Sequence, residues 1–192
     1  MQSEGISPDA VTYACILKAC GTVQDAGMGK KIHDDIVSQG LLQKSVVLGI
    51  ALIDMYAKCG VLQKAQKLLE ELPVRNATTY TCILKACGTT QDTDLGKRIH
   101  DDIVSKGLLK KDVLLGTALV DMYAKCGVLQ KAQKVLEELP IRNVDSYNAL
   151  IAGYAEQGQG QEALGCFQRM QTECISPDSV TYTFILKAML PS

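Results

Sequence analysis

The chain has no tryptophan, and tyrosine and phenylalanine together supply only 5% of its 192 residues. A single compact domain normally centres on large rings. Short stacked helices close their cores with Leu, Ile, Ala and Cys, so the shortage favours many small cores. Neither sign of charge is in excess, with 20 Lys and Arg against 21 Asp and Glu and a net charge of -1. The basic surplus that usually marks a nucleic-acid binder is therefore missing. No run approaches the roughly 20 apolar residues of a membrane span. None of the eight cysteines forms a Cys-x-x-Cys pair; Cys15 and Cys20 lie five apart, as do Cys82 and Cys87. That spacing excludes the usual zinc frameworks and suits reduced thiols acting as small hydrophobes. The only two histidines, His33 and His100, each precede two Asp but have no nucleophile or third ligand beside them. Catalysis, metal and cofactor are thus not expected. A Gly-rich phosphate loop and strand-like alternation are also absent from the sequence pattern.

What is present is repetition. Shifting the sequence by 67 residues aligns Ala10–Asn76 with Ala77–Asn143, and 52 of the 67 positions are identical. The two flanks also match, QSEGISPD at 2–9 with QTECISPD at 171–178, as in part of a longer array or a consensus-like imitation of one. Tyr13, Ile16, Leu17 and Cys20 stand at i, i+3, i+4 and i+7, which predicts a helix with an apolar stripe. Leu48, Ala51, Leu52, Met55 and Tyr56 repeat that pattern, and Val61, Ala65, Leu68, Leu69 and Leu72 continue it after Gly60. Gly40, Gly60 and Gly127 sit where helices should stop, and Pro73 and Pro140 forbid continuation. The expected fold is all-α, a right-handed α-solenoid of antiparallel helix-pair repeats.

Helix pairs of this length occur in more than one repeat class, and the local strings distinguish them. VTYACILKACG, GKKIHDDIVSQGL, ALIDMYAKCGVLQKAQKLLEELPVRN and YNALIAGYAEQGQGQEALGCFQRMQ with ISPD after it resemble the motifs of pentatricopeptide repeat proteins. More narrowly, they are similar to the long, short and standard motifs of the plant subclass that alternates all three. On this resemblance residues 1–9 end a preceding repeat, 10–45 and 77–112 are long motifs, and 46–76 and 113–143 are short ones. Residues 144–178 are a standard motif, and 179–192 open another. A standard motif is missing between Asn76 and Ala77, where the family's usual cycle would place one.

The resemblance implies sequence-specific binding of single-stranded RNA, one base per motif, in the organellar RNA processing or editing of a mitochondrion or chloroplast. Two side chains per motif then read the base, position 5 and the last residue. Here those pairs are Ala14/Ser45, Ile50/Asn76, Thr81/Asp112, Thr117/Asn143 and Asn148/Asp178. By the family's pairing rules the last three favour guanine, adenine and uracil, while Ala14 and Ile50 offer no side-chain hydrogen bond. Position 2 sandwiches the base, a role that Val11, Val47, Leu114 and Val180 fit, Thr78 fits less well and Asp145 does not. Lys58 and Lys125 resemble the family's phosphate-contacting lysines; Glu156 takes their place in the standard motif.

From the helix pattern alone, positions 2, 5 and 9 share one face, opposite the stripe at 4, 8 and 11, so position 5 should stand clear of the core. The last residues Asp9, Ser45, Asn76, Asp112, Asn143 and Asp178 are also natural N-caps for the following helix, a role compatible with reading a base. Further partners implied by the resemblance are accessory RNA-editing proteins, and near-neutral charge would suit such docking. End-to-end self-association is expected through Ile185, Leu186 and Met189, which lack a second helix to cover them.

Overall fold

A computed structural model describes residues 8–72 and 76–189, so Pro73 and the segment 1–7 expected to end a preceding repeat lie outside the described residues. The polypeptide divides into two compact units, Met1–Ala86 and Cys87–Ser192. Among the described residues every regular element is helical.

In the first unit Asp9 starts α1 (Ala10–Val23), its carboxylate accepting the backbone N–H of Thr12 at 2.8 Å. Asp25 starts α2 (Ala26–Ser38) in the same way through Met28, at 2.9 Å. Helices α3 (Val46–Lys58) and α4 (Leu62–Glu71) follow, and α5 (Ala77–Thr90) runs to the unit's end and beyond. Helix α1 packs on both α2 and α3, and α3 on α4. Tyr13, Leu17, Cys20, Leu48, Leu52, Met55, Tyr56, Ala65, Leu68 and Leu69 are buried, filling the space between layers. His33 on α2 meets the Tyr56 hydroxyl on α3 through Nδ1 at 3.0 Å, a structural bond between helix layers.

The second unit contains α6 (Thr93–Ser105), α7 (Val113–Lys125), α8 (Leu129–Glu138), α9 (Val144–Glu156), α10 (Gly160–Thr172) and α11 (Ser179–Met189). A short 3₁₀ turn, Leu108–Lys110, takes up the extra length of the 36-residue repeat. Helix α9 packs on α7 and on α11, so the first helices of successive pairs form a continuous layer within this unit. The second helices α8 and α10 back that layer. His100 and Tyr123 repeat the His33–Tyr56 bond at 3.0 Å, here with the histidine buried.

Gly40, Gly60 and Gly127 do end helices, with φ of +63°, +72° and +76°, the left-handed conformation that glycine adopts without strain. Gln24, Gln91 and Cys174 adopt the same conformation with φ of 56°, 56° and 58°. No glycine announces those three stops.

Three core assignments need correction. Ile16 is 39% exposed, because α1 packs on α2 and α3 and this residue faces its other flank. On α11 Ile185 is buried rather than uncovered, while Leu186 and Met189 are exposed. Cys15 and Cys174 are exposed thiols and not core hydrophobes, whereas Cys20 and Cys87 are buried as expected. Among the described residues no helix is long and apolar enough to cross a membrane.

Candidate nucleic-acid interface

Four of the six first helices, α1, α3, α7 and α11, carry on an exposed edge an apolar side chain that their packing does not use. Val11, Val47 and Leu114 are 69%, 62% and 69% exposed, and Val180 is 46% exposed. Each is the second residue of its helix, a position that the helical period directs away from the packed stripe. Thr78 and Asp145 hold the same position on α5 and α9 and are likewise exposed. Ordinary solubility would place polar groups here. An aliphatic residue recurs at this position within each unit, Val11 and Val47 in the first and Leu114 and Val180 in the second, and each is suited to contact with a flat apolar ring.

Three residues further along lie Ala14, Ile50, Thr81 and Thr117, all half-buried. Asn148 is only 6% exposed, so the expectation that position 5 stands clear of the core fails there. The cause is hydrogen bonding. Asn148 Nδ2 donates to Asp178 Oδ1 at 3.1 Å, and Thr181 Oγ1 donates to Asn148 Oδ1 at 2.6 Å. One motif earlier, Thr117 Oγ1 stands 3.3 Å from Asn143 Oδ1 and 3.1 Å from the Val113 carbonyl. Two of the five expected pairs are thus brought side by side although 26 and 30 residues separate their members.

The last residues also cap helices. Asn76 accepts from Thr79 N at 3.0 Å, Asp112 from Leu115 N at 3.1 Å, Asn143 from Ser146 N at 2.9 Å and Asp178 from Thr181 N at 2.8 Å. Ser45 makes no side-chain cap bond to α3, so its capping role does not hold. The Thr181 N–H, followed by the Asn148 amide, holds the Asp178 carboxyl below its ordinary 3.8, and Thr12 does the same for Asp9. Both are acceptors at neutral pH.

Lys58 and Lys125 end α3 and α7, where a cation complements the helix dipole. Each also pairs with the aspartate one turn back, Lys58 with Asp54 at 2.6 Å and Lys125 with Asp121 at 2.8 Å. A phosphate would have to share these ammonium groups with a carboxylate. Lys18, Lys85 and Lys187 are exposed two turns beyond Val11, Thr78 and Val180 on the same helices. The i, i+7 spacing from position 2 could have singled them out from the sequence, and they add positive charge to that face.

The last repeat is braced by an ion-pair cluster. Arg142 Nε meets Glu173 Oε2 at 2.8 Å, and Arg142 Nη1 meets the Glu137 carbonyl at 3.1 Å near the end of α8. Arg169 binds both Glu173, at 3.2 Å, and Glu137, at 2.7 Å. Because Arg142 precedes Asn143 directly, the cluster fixes the turn that carries the fourth pair's last residue.

Comparison with known proteins gives a consistent kinship. A family model described as the PPR repeat family matches residues 142–190, and one described as the PPR repeat matches 51–76 and 117–144. A mitochondrial pentatricopeptide repeat-containing protein of Arabidopsis thaliana is 33% identical over 95% of this chain and 26% of its own length. A chloroplastic one from the same plant is 30% identical over 97% of this chain and 36% of its own length. The chain therefore spans only about a quarter to two fifths of the curated relatives it matches. Among solved structures, the pentatricopeptide repeat protein PPR10 in complex with an 18-nt psaJ RNA element aligns with a TM-score of 0.75 at 18% identity. That alignment covers 97% of this chain and 29% of the other. The nuclear protein-only RNase P 2 of Arabidopsis thaliana aligns with a TM-score of 0.65 at 11% identity over 93% of this chain and 41% of the other. At these identities the likeness establishes the fold, an α-solenoid of helix pairs. One neighbour is a ribonuclease, so the fold alone does not decide whether a protein built on it is an enzyme.

Proposed function

The chain belongs to the pentatricopeptide repeat family, and on that premise we propose that it binds single-stranded RNA through one base per motif. The observation that carries this reading is the junction of position 5 with the last residue in the second unit. Thr117 meets Asn143 and Asn148 meets Asp178, each beside the helix edge that bears Leu114 or Val180. An apolar flank with a small set of fixed donors and acceptors is what recognition of an unpaired base needs. The array acts in this reading as a binding module and not as a catalyst. Its motifs run long, short, long, short and standard in this reading, and its place is organellar RNA processing or editing, as the mitochondrial and chloroplastic relatives suggest.

The test is Asn143→Asp. The substituted carboxylate still accepts from Ser146 N, so the cap on α9 survives. What changes is the amide donor, which becomes an acceptor. Preference under the fourth motif should move from adenine to guanine, with a change in binding ratio of about 1–3 kcal/mol. Equal adenine-to-guanine ratios in parent and variant would refute base reading by these side chains. Affinity measured across salt concentrations should also fall with a log–log slope that reports phosphate contacts.

A second reading, docking of accessory RNA-editing proteins, draws on one feature. Lys58 and Lys125 are already paired with aspartates in a chain of net charge -1, which weakens the pull on a polyanion. A flat salt dependence together with capture of such a protein would favour it.

A further inference from the structure

Thr181 belongs to α11, the helix after the fifth motif, and is fully buried. It is three residues past Asp178 and 33 past Asn148, the pair proposed to read the fifth base. Its hydroxyl lies 2.6 Å from Asn148 Oδ1 and 2.9 Å from Asp178 Oδ1, and accepts the Asp178 N–H at 3.1 Å. A hydroxyl has one proton to give. Asp178 Oδ1 already accepts Thr181 N–H at 2.8 Å and Asn148 Nδ2 at 3.1 Å, so the proton goes to the nearer, less satisfied Asn148 oxygen.

This arrangement fixes which way round the Asn148 amide stands. Turned over, its oxygen would face the Asp178 carboxylate at about hydrogen-bond distance, acceptor against acceptor, and its nitrogen would face Thr181. As it stands, the carbonyl is held by Thr181 and one N–H by Asp178. The second N–H is the amide's remaining donor.

We infer that Thr181 is a third specificity-determining residue of the fifth motif, a positioning residue that locks the Asn148 amide so that it offers a donor to the base. The inference rests on the proposed RNA reading. A fixed donor discriminates between the two pyrimidines, which share an outline but differ at the ring edge. Uracil presents the O4 acceptor where cytosine presents an amino donor.

The other repeats show that this device is not generic. Ser146 holds the same place after Asn143, yet its hydroxyl donates to the Asn143 carbonyl at 2.8 Å and accepts the Asn143 N–H at 3.1 Å. It is occupied by the backbone. Thr79, in that place after Asn76, likewise donates to the Asn76 carbonyl, at 2.7 Å. Leu48 and Leu115 hold the place after Ser45 and Asp112 and have no hydroxyl to offer. A lock of this kind is therefore set by the residue chosen at the third position of the following helix and by where its hydroxyl turns.

The experiment compares the parent with Thr181→Val and Thr181→Ser, using RNA oligonucleotides that carry uracil or cytosine under the fifth motif and adenine or guanine under the fourth. The parent should favour uracil by roughly tenfold or more. Valine keeps the shape and removes the proton, so the uracil-to-cytosine ratio should fall towards one while the adenine-to-guanine ratio stays. Serine restores the hydroxyl and should restore the ratio. An unchanged uracil-to-cytosine ratio in Thr181→Val overturns the inference, and so does an equal loss of affinity for both pyrimidines, which marks a purely structural residue. In either case the RNA reading survives. A parent that binds none of the oligonucleotides removes that reading and this inference with it. In the free protein the Asn148 side-chain NH2 signals should be separate and slow to exchange, and should lose that protection in Thr181→Val.

Discussion

Leu114 and Leu115 are adjacent on α7, identical in chemistry and opposite in environment, at 69% and 0% exposure. Truncating each to alanine separates binding from folding. Leu115→Ala empties a filled site, which costs about 2–5 kcal/mol in comparable cores. Leu114→Ala gives up contacts of a side chain that is mostly in water. Burial of a whole leucine is worth about 1.5–3 kcal/mol, and less than a third of that is at stake here. Alanine also has slightly better helix propensity, so the net loss of stability should be about 0.5 kcal/mol or less. RNA affinity should respond in the reverse order. If Leu114 covers a base, three carbons lose their burial at about 0.8 kcal/mol each, roughly 2 kcal/mol and thirtyfold in Kd. Urea unfolding and fluorescence anisotropy with one labelled oligonucleotide measure both quantities on the same samples. A Leu114→Ala protein that binds as tightly as the parent, or melts as early as Leu115→Ala, would show that the exposed apolar edge has another purpose.

Two glycines should respond oppositely to alanine. At Gly153 the added methyl would sit 2.9 Å from Ala124 Cβ and 3.4 Å from its Cα, so overpacking should outweigh the helix gain by about 1–2 kcal/mol. Gly165 has open space around it, and Gly165→Ala should stabilise by about 0.5–1 kcal/mol, both read from urea midpoints. Burial lowers the pKa of His33 and His100 beneath 6.5, the unfolded chain therefore binds the proton more readily, and the stability this gives is complete above pH 6.5. It is lost as pH falls through the folded values, so midpoints should drop on acidification below 6.5 and a double His→Asn variant should show a flatter profile. Among the thiols, exposed Cys15 and Cys174 should react first with a thiol reagent at about pH 8. Cys87 and Cys166, pushed up by burial to about 12 and about 11, should stay unmodified until the chain unfolds.

Period and repetition made the helices and most of their buried faces legible. Tyr13, Leu17 and Cys20 follow from spacing, and so do the stops at Gly60 and Gly127. Spacing cannot say which flank of a helix has a neighbour, and Ile16 shows the limit. Its equivalent Ile83 is fully buried, because the same residue type serves a covered flank on one helix and an open one on another. The stops at Gln24, Gln91 and Cys174 were illegible because these side chains carry no mark of the left-handed conformation they adopt. At the candidate site, the helical face predicted which residues share an edge but not how deeply they lie. Asn148 is buried by its bonds to Thr181 and Asp178, contacts between residues 30 or more apart in sequence that no local pattern encodes.

In four of the five motifs the closing residue caps the next helix, and in the proposed reading it has a second role. Asn143 and Asp178 begin the next helix by accepting its free N–H groups, and the same side chains are those proposed to face a base. An array that reads through its caps has a restricted alphabet. Asparagine, aspartate and serine or threonine hold a helix start almost equally well, while most other residues sacrifice about 1 kcal/mol at each junction. Retargeting by exchange within that small set leaves folding nearly untouched, and exchange outside it accumulates instability with every motif altered. Evolvability of the target is thereby built into the joints, and the number of words available is set by the chemistry of starting a helix.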